Sequence, residues 1–450
     1  MTAVTNPFIY LVLASIDKVS LLCKSMGTEI PARSERSPCT DSDLSDPDVW
    51  LESPPYAEFE RLRKVAPVAW NERHDGHKGF WAVTRLDDIV TVSRNTEVFS
   101  SREGAISLDD FDDAQSDARR TLLEMDPPQH TAMRRVTARE FTPKAIFAFE
   151  AFVRETAGRL IDEVVARGEV EIVSTFSKQL PILTLCRLLG VADDRREDMI
   201  RWSDALIGSD DPTYVDPLVE AIPIEERRMM QFGHPASLDA FELGRTLRAA
   251  RTSEPLDDVV TALALGEVDG VPLNDQEFCN YFLMLVVAGN ETTRHTLSHA
   301  IAAIAENPAE WQRFVDGDID GNVAADECLR WASAVHYVRR VATADFELNG
   351  ARIQQGDKVA MYYASANRDE EHFENAASFI IDRSPNDHVA FGRGGPHFCL
   401  GAHVARLQLK VFVEELAKRV RSIESSGRPE RLRSNHINGI KSLSVKFIEK

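Results

Sequence analysis

Cysteine is scarce in this 450-residue chain. The six residues, at 23, 39, 186, 279, 328 and 399, form no CxxC pair and no spacing that would build a zinc site. That excludes a disulfide-stapled secreted module and fits a reducing compartment, so a cytoplasmic location is expected. Basic residues are short as well: 52 Lys and Arg stand against 72 Asp and Glu, a formal charge of -20. A chain of that sign repels nucleic acid and anionic lipid, and neither is expected as a partner. Long apolar runs are missing too. PFIYLVLASI, from Pro7 to Ile16, stops at Asp17 and Lys18, at about half the length a membrane span needs. No basic region precedes it, which argues against a signal peptide, and Met26 is a candidate natural start. Finally, no Gly-x-Gly-x-x-Gly opens a βαβ unit, so no dinucleotide domain is expected within the chain.

What is present is ordinary globular composition, 43% hydrophobic and 28% charged. Residues 27–55 are polar and rich in Pro, Ser and Asp. YAEFERLRKV (56–65) has helical spacing, GFWAVTR (79–85) reads as strand, and LDDIVTVSRN reads as helix. The acidic stretch 101–120 reads as a loop. Helical spacing then runs through 130–140, 143–167, 192–208 and 236–252. It is interrupted by 209–235, a proline-spaced irregular segment of a length that reads either as a functional lid or as disorder. The longest helical signal follows. Asn274 and Asp275 can cap it, Glu277 takes the reciprocal place and Pro308 stops it. About 30 residues at roughly 1.5 Å each would span ~45 Å. A helix over 323–332 comes next, then short strands in 340–363 with turns at Asn349-Gly350 and Gln355-Gly356-Asp357. A helix from about 400 to 420 and a β-leaning tail complete a mainly α chain with small β-sheets, α+β in class. Residues 1–44 read as an N-terminal extension and 45–450 as one domain.

Cys399 lies in FGRGGPHFCLG (391–401), at the start of the last expected helix. Unpaired N–H groups and the helix dipole favour a thiolate there. Glycines at 392, 394, 395 and 401 let backbone approach a sulfur or a flat ligand. Such a sulfur serves as a nucleophile or as a metal ligand. A nucleophile wants a base, and His397, two residues away, points poorly toward it. A ligand needs only the sulfur, hydrogen bonds to tune it and room for a bulky cofactor. The loop alone favours a ligand and leaves a nucleophile or an inert cysteine open. The other five cysteines read as small buried hydrophobes.

Three further patterns carry chemistry. AGNETTRH (288–295) sets a costly mid-helix glycine beside an acid, Glu291, and an alcohol, Thr292. A threonine hydroxyl can bond its own helix carbonyls and open a bulge that admits water; the plain alternative is a polar turn on an exposed face. Glu327 and Arg330 form an ExxR, common as a solvated i,i+3 pair. His130 and Arg134 share one helical face, as a surface pair would also do.

Taken in this order, the motifs resemble the cytochrome P-450 superfamily, the haem-thiolate monooxygenases, from about residue 45 to the C-terminus. The cysteine loop is similar to that family's Phe-x-x-Gly-x-x-x-Cys-x-Gly haem segment, with one added residue between Phe391 and Cys399. The longer form occurs in actinobacterial members that act on steroids and branched lipids. GFWAVTRLDDI, MDPPQHTAMRR, AGNETTR, SANRDEEHF and NGIKSLSVKF resemble actinobacterial sterol and methyl-branched-lipid hydroxylases in particular. The implied fold is a triangular prism with a long central helix over heme b, iron protoporphyrin IX. The resemblance implies Cys399 as the proximal iron ligand, in a loop bounded by Phe391 and Gly401. It implies Ala288 and Gly289 leaving room for oxygen, with Thr292 and Glu291 managing proton delivery. His130, Arg134, Arg340 and His397 would meet the haem propionates, with Arg339 beside Arg340 an open choice for that contact. Glu327 and Arg330 become a structural brace.

The reaction so implied inserts one oxygen atom of O2 into a C–H bond of a small apolar substrate, and the other atom leaves as water. A steroid or sterol side chain is the first expectation; terpenoids, branched fatty acids and secondary metabolites follow. Electrons are expected from a separate ferredoxin and an NAD(P)H-dependent ferredoxin reductase. Their docking side would be a basic cluster of Arg393, His403, Arg406 and Lys410. A monomer is expected. The rivals are a peroxide-driven peroxygenase, against which Glu291 and Thr292 argue, a colourless cysteine hydrolase, and a non-catalytic haem carrier. In AVHYVR, His336 and Tyr337 stand where a more apolar lining is expected.

Overall fold

The helix Asp275–Glu306 organises the molecule. It runs for 32 residues, ~48 Å at the standard rise. Its start is built as its sequence dictates. The Asn274 side chain accepts from the Glu277 N–H, and the Glu277 carboxylate accepts from the Asn274 N–H, each at 2.9 Å. Every residue from Phe278 to Val287 is buried, as in a helix enclosed on all sides. Helices Gln179–Leu189, Arg196–Ile207, Ala236–Ser253 and Gly321–Ala332 pack against it. The computed structural model describes residues 39–208, 210–214 and 217–450; PFIYLVLASI and Met26 lie outside the described residues.

Several helices differ from the periodicity reading, each for a physical reason. Gln179–Leu189 (QLPILTLCRLL) escapes it because nearly every side chain is buried, so no polar stripe marks its period. The stretch 143–167 is two helices, Pro143–Phe147 and Glu150–Arg167. The segment 101–120 is not all loop, since Asp112 and Gln115 form a capping box on the short helix Asp113–Ala118. The lid segment carries two single-turn helices, Pro217–Glu220 and Ile224–Arg228.

The β structure is small, as expected. One five-stranded sheet has the order Val68–Asn71, Phe80–Val83, Lys358–Tyr362, Tyr337–Ala342, Phe99–Ser100. Within it, 80–83 and 358–362 pair in parallel and the other neighbours are antiparallel. Asn349 and Gly350 take φ of 50° and 79°, the tight hairpin turn that Asn-Gly favours. A second sheet joins Glu169–Glu171, Ser444–Glu449 and Val420–Ser425. No described helix is long and apolar enough to cross a membrane.

The ExxR pair is a brace and is not solvated. Arg330 donates through Nε and Nη2 to the Glu327 carboxylate at 2.8 and 2.7 Å, and Arg383 Nε adds a third contact at 3.0 Å. Arg330 also donates to the carbonyls of Asn367, Ala376 and Ser378. A buried ion pair persists only when its remaining hydrogen-bonding capacity is met in this way. The triad ties Gly321–Ala332 to the chain that leads into the Cys399 loop.

Candidate active site

A cavity of about 300 Å³ runs beside the middle of the long helix. Ala288, Gly289, Glu291 and Thr292 line one wall, and Phe391, His397, Cys399 and Gly401 line another. His130 and Arg134 reach it from the helix Gln129–Ala138. Thus every residue expected at the site, Arg340 excepted, borders one space.

The cysteine loop closes on itself: the Cys399 N–H donates to the Phe391 carbonyl at 2.9 Å. The glycines divide their roles differently from the expectation. A Cβ on Gly395 would sit 2.2 Å from the Ser93 carbonyl oxygen, so this glycine admits the helix Leu86–Arg94 and not a flat ligand. Gly401 borders the cavity and has open space where its Cβ would be. The sulfur surface of Cys399 is exposed, and it opens on this cavity. Although it opens on the cavity, Cys399 lies deep within the protein, and that desolvation pushes the thiol pKa up, against the pull of the Gly401 N–H, Arg134 and Arg406. Bonding to a metal ion would favour the thiolate against that shift. His397 is no base for Cys399. Its Nε2 lies 3.1 Å from Ser101 Oγ and its ring centroid 4.1 Å from that of His130.

Three basic groups, His130, Arg134 and His397, border the cavity, and Arg340 lies close to the two histidines. Neither Arg134 nor Arg340 forms an ion pair among the described residues, and His130 Nδ1 is buried without a partner. Burial first, then the neighbouring arginines, depress His130 to about 4 and His397 to about 2. Cations and unmet donors in this arrangement fit the two carboxylates of a porphyrin. The choice between adjacent arginines follows from strand geometry, because successive side chains leave opposite faces. Arg339 Nη1 donates to the Ser107 and Asp109 carbonyls at 2.9 and 2.7 Å, and Nη2 donates to that of Glu103. Arg340 is the one that shares the surroundings of His130 and His397.

Elsewhere on the lining, Thr292 Oγ1 donates to the Ala288 carbonyl at 2.9 Å. The expected bulge is not there; the helix runs unbroken through this turn. Glu291 is buried, not on an exposed turn. Arg294 Nη2 lies 2.5 Å and His295 Nε2 3.3 Å from its carboxylate. Arg294 also contacts Asp204 at 2.5 Å, and Asp204 contacts Lys178 at 2.8 Å. Burial raises the Glu291 pKa, opposed by Arg294 and Lys178. A Cβ on Gly289 would lie 2.8 Å from Leu185 Cδ1, so this glycine lets Gln179–Leu189 close on the wall. Open room beside the cavity belongs to Ala288, which is exposed there.

Sequence reading missed the apolar lining contributed by Leu185, Phe232, Met284 and Ile437. It also misplaced AVHYVR. Val335 and Val338 line the cavity, while His336 stacks 4.2 Å from Trp50 and Tyr337 packs on Tyr362. The expected basic cluster is largely neutralised: Arg393 pairs with Asp387, Arg406 with Asp326 and Lys410 with Glu150.

Residues 72–436 match the family model for cytochrome P450. The chain belongs to the cytochrome P450 family. It is similar to the steroid C26-monooxygenase of Mycobacterium tuberculosis, 37% identical over 421 residues, covering 90% of this chain and 92% of that one. The methyl-branched lipid omega-hydroxylase of the same organism is 33% identical, covering 91% and 95%. Among solved structures, a Mycobacterium marinum cytochrome P450 in complex with pseudoionone superposes with a TM-score of 0.82 at 36% identity, over 91% of this chain and 99% of that one. A Bacillus megaterium protein in complex with testosterone gives 0.74 at 28% identity, over 87% and 97%. This cytochrome P450 is a monooxygenase whose cofactor is haem held by a thiolate, and its chemistry takes O2 and redox partners.

Proposed function

We propose that this cytochrome P450 hydroxylates the side chain of a steroid or sterol. The observation that carries the reading is the cavity itself, apolar along Leu185, Met284, Val335, Val338 and Ile437, with Cys399 and Thr292 both on its lining. The steroid C26-monooxygenases support the class of substrate. A second reading, hydroxylation of a methyl-branched lipid, rests on the omega-hydroxylases.

In this proposal Cys399 Sγ ligates the iron. His130, Arg134, Arg340 and His397 hold the propionates, and Phe391, Ala288, Gly289 and Gly401 shape the space for the porphyrin and O2. When bound, the haem supplies O2 activation, giving one atom to a C–H bond and the other to water. The chain supplies order and protons. Thr292 Oγ1 holds a proton at the cavity wall, parked on the Ala288 carbonyl. Glu291 refills it once its carboxylate has left Arg294, on the side facing Asp204 and Lys178, and taken up a proton from solvent water. Electrons come from a separate ferredoxin and an NAD(P)H-dependent reductase, and the enzyme works as a cytoplasmic monomer with residues 45–450 as its haem domain.

The test is a titration of the haem-loaded enzyme with sterols, terpenoids and branched fatty acids, read by the low-to-high-spin Soret shift. Sterols should give the tightest shift and a side-chain alcohol as product. Binding of bulky macrolide-like compounds alone would overturn the reading. In the same preparation, Cys399→Ser should abolish the carbon-monoxide spectrum of thiolate ligation.

A further inference from the structure

Beside the apolar cavity lies a smaller one of about 40 Å³. Ile106, Leu123, Phe232 and Met284 line both, so the two spaces adjoin along these side chains. The smaller space borders none of residues 391–401, which puts it away from Cys399. Its chemistry is also different. The Arg119 guanidinium lies 4.4 Å from the centroid of Phe111, another wall residue. Its side chain makes no hydrogen bond or ion pair among the described residues. Glu124, in the same compartment, is already committed to Thr121, accepting from its N–H at 3.1 Å and from its Oγ1 at 2.5 Å. A guanidinium only donates. The compartment therefore offers N–H groups with nothing to receive them, at the edge of an apolar chamber.

We infer that Arg119 determines specificity by donating to an uncharged oxygen on the substrate, at the end remote from the carbon that is oxidised. The inference rests on the steroid side-chain reading and deepens it. The volume suits one carbonyl or hydroxyl group, since a water occupies roughly 10–15 Å³ of such space. The nearby Glu124 offsets Arg119 and works against a carboxylate by like-charge repulsion. A substrate without the oxygen leaves the N–H groups of this half-buried guanidinium unmet within the chamber edge, which discriminates more strongly than an extra apolar contact.

The test uses the full-length, haem-loaded enzyme and Kd values from the Soret shift. The probes are cholestanes carrying a 3-keto group, a 3-hydroxyl or no ring oxygen, together with a methyl-branched fatty acid. Wild type should bind the oxygenated steroids about ten-fold more tightly than the deoxygenated one. Arg119→Leu should shrink that preference to within about two-fold while leaving the deoxygenated steroid's Kd unchanged, which also shows that the loop is intact. Arg119→Lys, which keeps a donor, should retain part of it. An equal preference in wild type and Arg119→Leu would overturn the inference, as would an Arg119 dependence confined to the fatty acid. Failure of every steroid to bind wild type is a separate result, which removes the steroid reading and this inference with it.

Discussion

The Glu291 carboxylate lies 2.5 Å from the Arg294 guanidinium, three residues along the same helix, and both are sealed from solvent. Arg294 is shared with Asp204, so one cation serves two carboxylates. Removing it strands charge in the interior, a loss of about 3–5 kcal/mol. Arg294→Leu should therefore lower the thermal midpoint of the haem-loaded enzyme sharply, and Arg294→Lys less. An unchanged midpoint would mean that Glu291 is held protonated and needs no partner.

Thr292 is structurally cheap, because its hydroxyl serves only a carbonyl already within the helix. Thr292→Ala should leave the melting temperature nearly unchanged. Product formed per electron pair consumed should fall several-fold, with peroxide making up the difference. An unaltered coupling ratio would take away its assigned role.

Arg339 and Arg340 should fail in different ways. Arg339→Leu orphans three backbone carbonyls in the 103–109 segment, at about 1–3 kcal/mol for buried groups left unsatisfied. Its readout is unfolding. Arg340→Leu removes a cation without an ion-pair partner and should instead speed haem loss by about ten-fold, the scale of one charge-assisted hydrogen bond. Haem transfer to an apo-globin acceptor measures it; a result in which only Arg339→Leu loses haem would reverse the assignment.

Acid lability should begin near neutrality. Burial depresses His299 to about 3 and His436 to about 4, from 6.5. As pH falls through 6.5 the unfolded chain takes up protons that the folded one refuses, so stability is full above 6.5 and is lost progressively toward pH 3–4. His299→Gln keeps a donor for the Asn438 carbonyl, which His299 Nε2 meets at 3.0 Å. It should flatten the dependence of melting temperature on pH between 6.5 and 5 by about one proton.

The parts of the site legible in sequence are those whose logic is local. The Asn274–Glu277 box, the Asn349-Gly350 turn and the residue order around Cys399 each depend on a few consecutive positions. Contacts between distant segments were not legible. Gly395 was read as room for a ligand because nothing nearby in sequence reveals that Ser93 packs on it. The basic cluster looked open because its neutralising partners, Asp326 and Glu150, come from other helices. Leu185 was lost with its helix, whose burial on nearly all sides erased the period that would have announced it. Arg119 lay in a stretch read as acidic loop, and its isolation from any acceptor is visible only once Glu124 is seen bound to Thr121.

Cys399 turns its sulfur inward, toward the chamber, while Cys39 is exposed elsewhere and Cys186, Cys279 and Cys328 are buried. A reagent that reaches the atom assigned to iron through the chamber meets whatever the chamber already holds. Occupancy is thus a shield for this one sulfur: a filled chamber protects it from thiol poisons and oxidants, and an empty, cofactor-free one leaves it open to attack, while Cys39 is exposed in either state.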